Sequence, residues 1–208
     1  MAGEASFPPT TVDGGALSAK GERTRRALLE AAESVFGAFG WERASIVKIT
    51  EAAGVSQGTF YRYFVSKQAI FDELVDDLNR RVRRAMTEGA SAAGDGRAEV
   101  ERGGFEGFFE FTSQHPALYR VIRQAEFASP QALQRHYTKI ADRYREALAQ
   151  AMATGDIAEG DPEVLAYALM GVGELIGMRW ILWSEDGAMP PHVIDEMMAF
   201  IRRGLGAR

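Results

Sequence analysis

The sequence predicts an all-α chain of about nine helices, and three observations carry that expectation. Apolar residues recur at three- and four-residue spacing along most of the 208 residues. Pairs such as Ser129-Pro130 and Asp161-Pro162 supply helix starts, while Gly40, Gly54 and Gly155 supply helix ends. No run alternates apolar and polar side chains as a half-buried strand would, and no segment recurs at a fixed period.

Residues 1–21, rich in Pro, Gly, Ser and Thr, read as a disordered arm that lacks the basic start and apolar run of a secretion signal. In "TRRALLEAAESVFGAFG", Ala27, Leu28, Ala31, Ala32, Val35, Phe36 and Phe39 form one stripe, and Gly40 stops the helix near Phe39. Ser45 caps a short second helix, "IVKITEAA", with Ile46, Ile49 and Ala53 inward; Gly54 turns the chain and Val55 plugs the turn. Ser56 caps a third helix, "QGTFYRYF", and Ser66 caps a long fourth with Ile70, Leu74, Leu78 and Val82 in register. Downstream, "GASAAGDG" reads as a loop and "FEGFFEFTSQ" as an aromatic helix ending near His115-Pro116. Pro190-Pro191 opens a final helix through about Leu205. The expected organisation is an N-terminal three-helix domain over residues 22–67 and a larger helical domain over 68–208.

With 46% hydrophobic residues the chain can build a substantial core, and without cysteine it can hold neither a disulfide nor a thiolate metal site, in keeping with a reducing cytoplasm. The stretch "VLAYALMGVGELIGMRWILW", Val164 to Trp183, approaches membrane-spanning length, yet Glu174 and Arg179 inside it favour a buried helix at a protein interface. The net charge of −5 is unevenly spread: Lys20 to Lys67 holds eight Lys or Arg against five Asp or Glu, whereas Gln68 to Arg208 holds sixteen against twenty-two. The basic end is the three-helix end.

Two short helices joined by a glycine turn, with a third behind them, make a helix-turn-helix. A helix that enters a major groove needs small or hydrogen-bonding residues on its leading turn, since bulk there holds the backbone away from base edges. Gln57, Gly58 and Thr59 meet that need. Tyr61 and Tyr63, further along, can offer hydroxyls to flanking phosphates while Phe60 and Phe64 point into the core. Lys67 stands at a helix start, where backbone N–H groups already favour an anion. Ser45, Lys48 and Ser56 complete the expected DNA-facing set. Each has a plainer reading too: amphipathic aromatics, first-turn residues and solvated charges.

"ITEAAGVSQGTFYRYFVSKQAIF", with the preceding "RRALLEAAESVFGAFGWERASI", resembles the DNA-binding signature of the TetR family of bacterial transcriptional regulators. The likeness spans residues 23 to about 75 and rests on Ala53-Gly54-Val55-Ser56, Gly58, Tyr61, Phe64 and Ser66-Lys67; Thr50 replaces a usual alanine and Tyr63 a frequent histidine. The resemblance implies a homodimer that binds palindromic double-stranded operator DNA, acts as a repressor and lets go when a small-molecule effector binds a divergent helical domain. No cofactor, metal or membrane partner is expected.

In that second domain, Phe105, Phe108, Phe109, Phe127, Tyr137, Met170 and Met178, with the polar Arg123 and Glu174, are the candidates for a pocket suited to a hydrophobic or aromatic ligand. The same stripes at helical spacing also fill a core, and charges within apolar runs also pair between neighbouring helices. Gly173 and Gly177, with Ala166 on their face, suggest a close helix–helix seam between subunits, joined by Val193, Met197 and Phe200 of the last helix. An alternative is a helical ligand-binding protein or an enzyme with no DNA-binding role. Against the enzyme, His115, His136 and His192 stand in no metal or triad spacing, with His136 and His192 read as solvated, and there is no phosphate-binding glycine loop.

Overall fold

Hydroxyl and carboxylate caps set where helices start at Ser45, Ser56, Ser66 and Asp161. The structure is a computed structural model that describes residues 11–94 and 96–206. It contains α1 (Ala19–Arg43), α2 (Ile46–Ala53), α3 (Gln57–Tyr63), α4 (Lys67–Ala92), α5 (Arg97–Gln114), α6 (Ala117–Ala128), α7 (Pro130–Ala153), α8 (Pro162–Gly177) and α9 (Pro191–Gly204), with a π-helical turn, Met178–Leu182, after α8. No strand occurs among the described residues. The fold is all-α, as the sequence predicts.

The Oγ atoms of Ser45, Ser56 and Ser66 accept from the backbone N–H of Lys48, Thr59 and Ala69 at 3.3, 3.2 and 3.1 Å, and Asp161 Oδ1 accepts from Glu163 N at 2.8 Å ahead of Pro162. Gly40, at φ 75°, leaves helical geometry after Phe39, and Gly54, at φ 66°, ends α2 in the left-handed region. Of the expected arm, residues 1–10 lie outside the described residues. Residues 11–18 form a hydrogen-bonded turn in which Val12 N donates to Arg62 O at 3.0 Å, and Ser18 caps α1.

The chain forms two compact units, one running through Val75 and including Arg120–Pro130, the other comprising Asp76–Tyr119 and the residues from Gln131 onward. The first unit therefore reaches beyond Lys67. Its core gathers Leu28, Ala32 and Phe36 of α1, Ile49 of α2, Phe60 of α3 and Ile70, Phe71 and Leu74 of α4. Phe71 meets the rings of Phe36 and Trp41 edge-on, each at 5.0 Å. Gln124 of α6 joins by donating to the Phe36 carbonyl at 3.2 Å. Phe39, expected inward, is instead exposed beside Gly40, with the Lys48 ammonium 5.4 Å from its ring centroid.

The second unit packs α5 and α7 to α9 around Phe105, Phe109, Tyr119, Leu148, Met178 and Met197. Here α4 continues to Ala92, so the first half of "GASAAGDG" is helix rather than loop, and Asp95 of that stretch lies outside the described residues. The glycines explain the difference. A Cβ on Gly89 would run into the Gly103 carbonyl, and one on Gly107 into the carbonyl of Ala85, so α4 and α5 touch backbone to backbone.

Candidate DNA-reading helix and ligand cavity

In the first unit, α3 is held by its caps and by Phe60 and Phe64, both buried beneath it. What it leaves outward is its first turn. Ser56, Gln57 and Gly58 are exposed, and the nearest atom a Cβ on Gly58 would meet is Ser56 Oγ, at 3.8 Å. Thr59 is half-buried, its hydroxyl 3.0 Å from that of Ser56. Tyr61 is 50% exposed. Tyr63 is half-buried and lies against Gly21 at the start of α1.

Lys67 occupies the expected helix start, but its ammonium is turned inward. Nζ donates to the carbonyls of Trp41 at 2.9 Å and Ala44 at 3.2 Å and lies 4.2 Å from the Trp41 ring centroid. These partners satisfy the acceptors that α1 leaves open at its end, so two of the three N–H donors are committed within the unit. Thr50 is buried, its hydroxyl donating to the Val47 carbonyl at 2.9 Å, so the departure from alanine leaves no polar atom stranded. Arg25 pairs with Glu73 and stands 5.2 Å from the Phe64 ring, tying α1 to α4.

The expected pocket residues are divided between the two units. Phe105, Phe109 and Met178 are buried in the second unit's core, and Phe108 and Met170 pack against it. Arg123 is exposed and Phe127 is 85% exposed, both belonging to the first unit. Tyr137 and Glu174 do meet: the phenol donates to the carboxylate at 3.0 Å, which gives the charge inside α8 a partner other than arginine. Arg179 is exposed, its guanidinium 5.3 Å from the Trp180 ring centroid.

A cavity of about 630 Å³ opens elsewhere in the second unit, between α4, α5 and α7. Met86, Ala90, Val100, Ile140, Ala147 and Leu148 give it an apolar lining. Arg83, Arg97, Arg143, Glu101 and Tyr144 add the polar groups. Burial holds the Glu101 carboxyl above its usual range, with the Arg97 charge opposing, and burial likewise pushes the Tyr144 phenol up. The expected residue set missed this cavity. Its apolar residues are dispersed over three helices, and no periodic pattern sets its arginines apart from the other charges of the chain.

The expected subunit seam also turns inward. A Cβ at Gly173 would lie 2.8 Å from Phe105 Cε1, one at Gly177 would collide with the Tyr119 hydroxyl, Ala166 and Met197 are buried in the same core, and Val193 is buried too. The glycines admit aromatic rings of their own chain. The opposite face of α8 presents Val164, Tyr167, Gly171 and Leu175, and α9 presents the exposed Phe200. Pro162–Leu182 is long and apolar enough to cross a membrane by length and composition.

His136, expected at the surface, is buried, with Asn79 Nδ2 donating to its carbonyl at 2.9 Å and lying 3.2 Å from its Nδ1. Among the described residues no cluster of His, Asp and Glu is placed to hold a metal.

A family profile described as bacterial regulatory proteins of the tetR family matches residues 28–74, which spans α1 from Leu28 through the helix-turn-helix. The HTH-type transcriptional regulator YdgC of Bacillus subtilis, itself uncharacterised, is 30% identical over 170 residues, covering 80% of this chain and 85% of its own. The HTH-type transcriptional regulator EthR of Mycolicibacterium smegmatis is 29% identical over 180 residues, 84% of this chain and 82% of its own. A solved structure of a TetR family transcription regulator from Marinobacter aquaeolei VT8 superposes with a TM-score of 0.76 at 21% identity, over 91% of this chain and 98% of that one. With a helix-turn-helix on the matched segment and the relatedness extending across both units, the chain belongs to the TetR family of bacterial transcriptional regulators.

Proposed function

We propose that this regulator is a homodimeric repressor that binds a palindromic operator through α2 and α3 of each subunit and leaves it when a hydrophobic or aromatic small molecule enters the second unit. The observation that carries the reading is the first turn of α3. Gln57 and Gly58 are exposed side by side, backed by a buried Phe60 and followed by the exposed Tyr61, so the helix offers a slim, polar leading edge on a rigid base. Ser45 and Ser56 accept the cap bonds that fix α2 and α3, Gln57 and Thr59 take the base-reading positions, and Lys48, Tyr61 and Tyr63 take the backbone contacts.

A two-fold partner is supported by the outward face of α8 with Phe200 of α9, an apolar stripe on helices long enough to build a four-helix interface. Selection from a random pool of duplexes tests the function. The expected product is a palindrome, bound with an affinity that falls steeply as salt rises. Recovery of no preferred sequence, together with salt-insensitive retention, overturns the reading.

A further inference from the structure

Among its described lining residues, the cavity between α4, α5 and α7 carries more positive than negative charge over an apolar floor. Arg83, Arg97 and Arg143 stand against one acid, Glu101, among the described lining residues. We propose that it binds an amphipathic anion, a small molecule with an apolar body and a carboxylate or phosphate head. The inference rests on the regulator reading only in calling such a molecule the effector.

The volume, about 630 Å³, falls within the range of roughly 300–1000 Å³ over which small-molecule sites occur. Met86, Ile140 and Leu148, drawn from α4 and α7, offer the body a surface that gains by leaving water. The head meets arginines with donors to give. Arg97 approaches Glu101 only at 3.9 Å, too far for a close hydrogen-bonded pair, and its side chain is partly exposed. Arg143 donates one N–H to the Thr87 hydroxyl at 2.9 Å, which aims the guanidinium and leaves the rest of its fork for an anion. A cation in the same place would face the guanidinium groups of Arg97 and Arg143 and compete with Arg97 for the one acid among the described lining residues.

Calorimetric titration of the full chain, without DNA, with decanoate, decanol, decyltrimethylammonium and inorganic phosphate tests this. Decanoate is expected to bind at least tenfold more tightly than the other three. Arg97→Ala and Arg143→Ala each weaken decanoate about tenfold and leave decanol nearly unchanged, and Arg143→Lys falls between. Ile140→Trp, which fills the floor, weakens decanoate and decanol alike; circular dichroism checks that each variant is folded. Failure of decanoate to bind, equal binding of the three decyl probes, phosphate binding as tightly as decanoate, or indifference to both arginine variants overturns the proposal. Decanoate binding by a chain that selects no DNA leaves this site standing and removes the regulator reading alone.

Discussion

The hydroxyl of Tyr119 fills the space that a side chain at position 177 would need, so α8 reaches its place only because residue 177 is glycine. Gly177→Ala forces the buried phenol aside and is expected to cost about 1–3 kcal/mol of unfolding free energy, the usual range for overpacking. Tyr119→Phe removes the colliding oxygen, so the double variant should recover part of the loss. Urea unfolding of the four proteins gives the coupling, and simple additivity contradicts the contact.

Lys67 is likewise held within its own chain. Since its ammonium bridges the carbonyls of Trp41 and Ala44, Lys67→Ala should destabilise the chain by about 1.5–3 kcal/mol, as expected for hydrogen bonds to a charged group, besides any effect on DNA. Unfolding curves measured beside DNA titrations at several salt concentrations separate the two contributions. A weaker DNA complex with wild-type stability would make the lysine a phosphate contact only.

Helix starts were legible in the sequence because their causes are local: Ser56 or Asp161 needs only the next two or three backbone N–H groups to act as a cap. The direction in which α8 faces was not. A helix apolar on several sides has no periodic minimum to mark solvent, so Gly173 and Gly177 fit an outward seam as well as an inward one until Phe105 and Tyr119 are seen against them. Gly89, Gly103 and Gly107 pose the same difficulty. Their reason for being glycine is the backbone of the facing helix, and without that partner Gly89 reads as part of a loop.

At Gly58, space is open in the free protein, so Gly58→Leu should keep the fold and can even stabilise α3, glycine being a poor helix former. Operator binding should nonetheless collapse, because the added bulk stands on the turn proposed to meet base edges. Tyr61→Phe, by contrast, should weaken every duplex about equally. Mobility shifts with selected and scrambled duplexes distinguish these outcomes, and unimpaired binding by folded Gly58→Leu would move the DNA face elsewhere.

His136 predicts a pH dependence of stability. Burial lowers its pKa from 6.5 to about 4, the charge of Asp76 opposing the shift and those of Arg83 and Lys139 adding to it. The unfolded chain therefore takes up this proton first as pH falls. Stability from this residue is full above about pH 6.5 and declines toward pH 4, at a slope approaching 1.4 kcal/mol per pH unit. Urea unfolding at pH 7.5 and 5.0 should show a smaller drop for His136→Gln than for the wild type. Equal drops would mean that the imidazole is already solvated in the native state.

The outward stripe on α8 and α9 leads to the prediction about assembly. Leu175 and Phe200 are 62% and 59% exposed in the single chain, so replacing either with glutamate leaves the core of the subunit intact. If the stripe is the two-fold contact, each change strips an apolar side chain worth about 1.5–3 kcal/mol on burial and puts a charge in its place, once in each subunit. Monomers should then appear at low micromolar concentration in sedimentation, with wild-type circular dichroism and a weaker complex with a palindromic duplex, since one subunit reads one half-site. Gly177→Ala should act in the reverse order, lowering stability while the folded fraction still sediments as a dimer. Leu175→Glu and Phe200→Glu proteins that both remain dimeric would exclude this face and send the search for the two-fold contact to another surface of the chain.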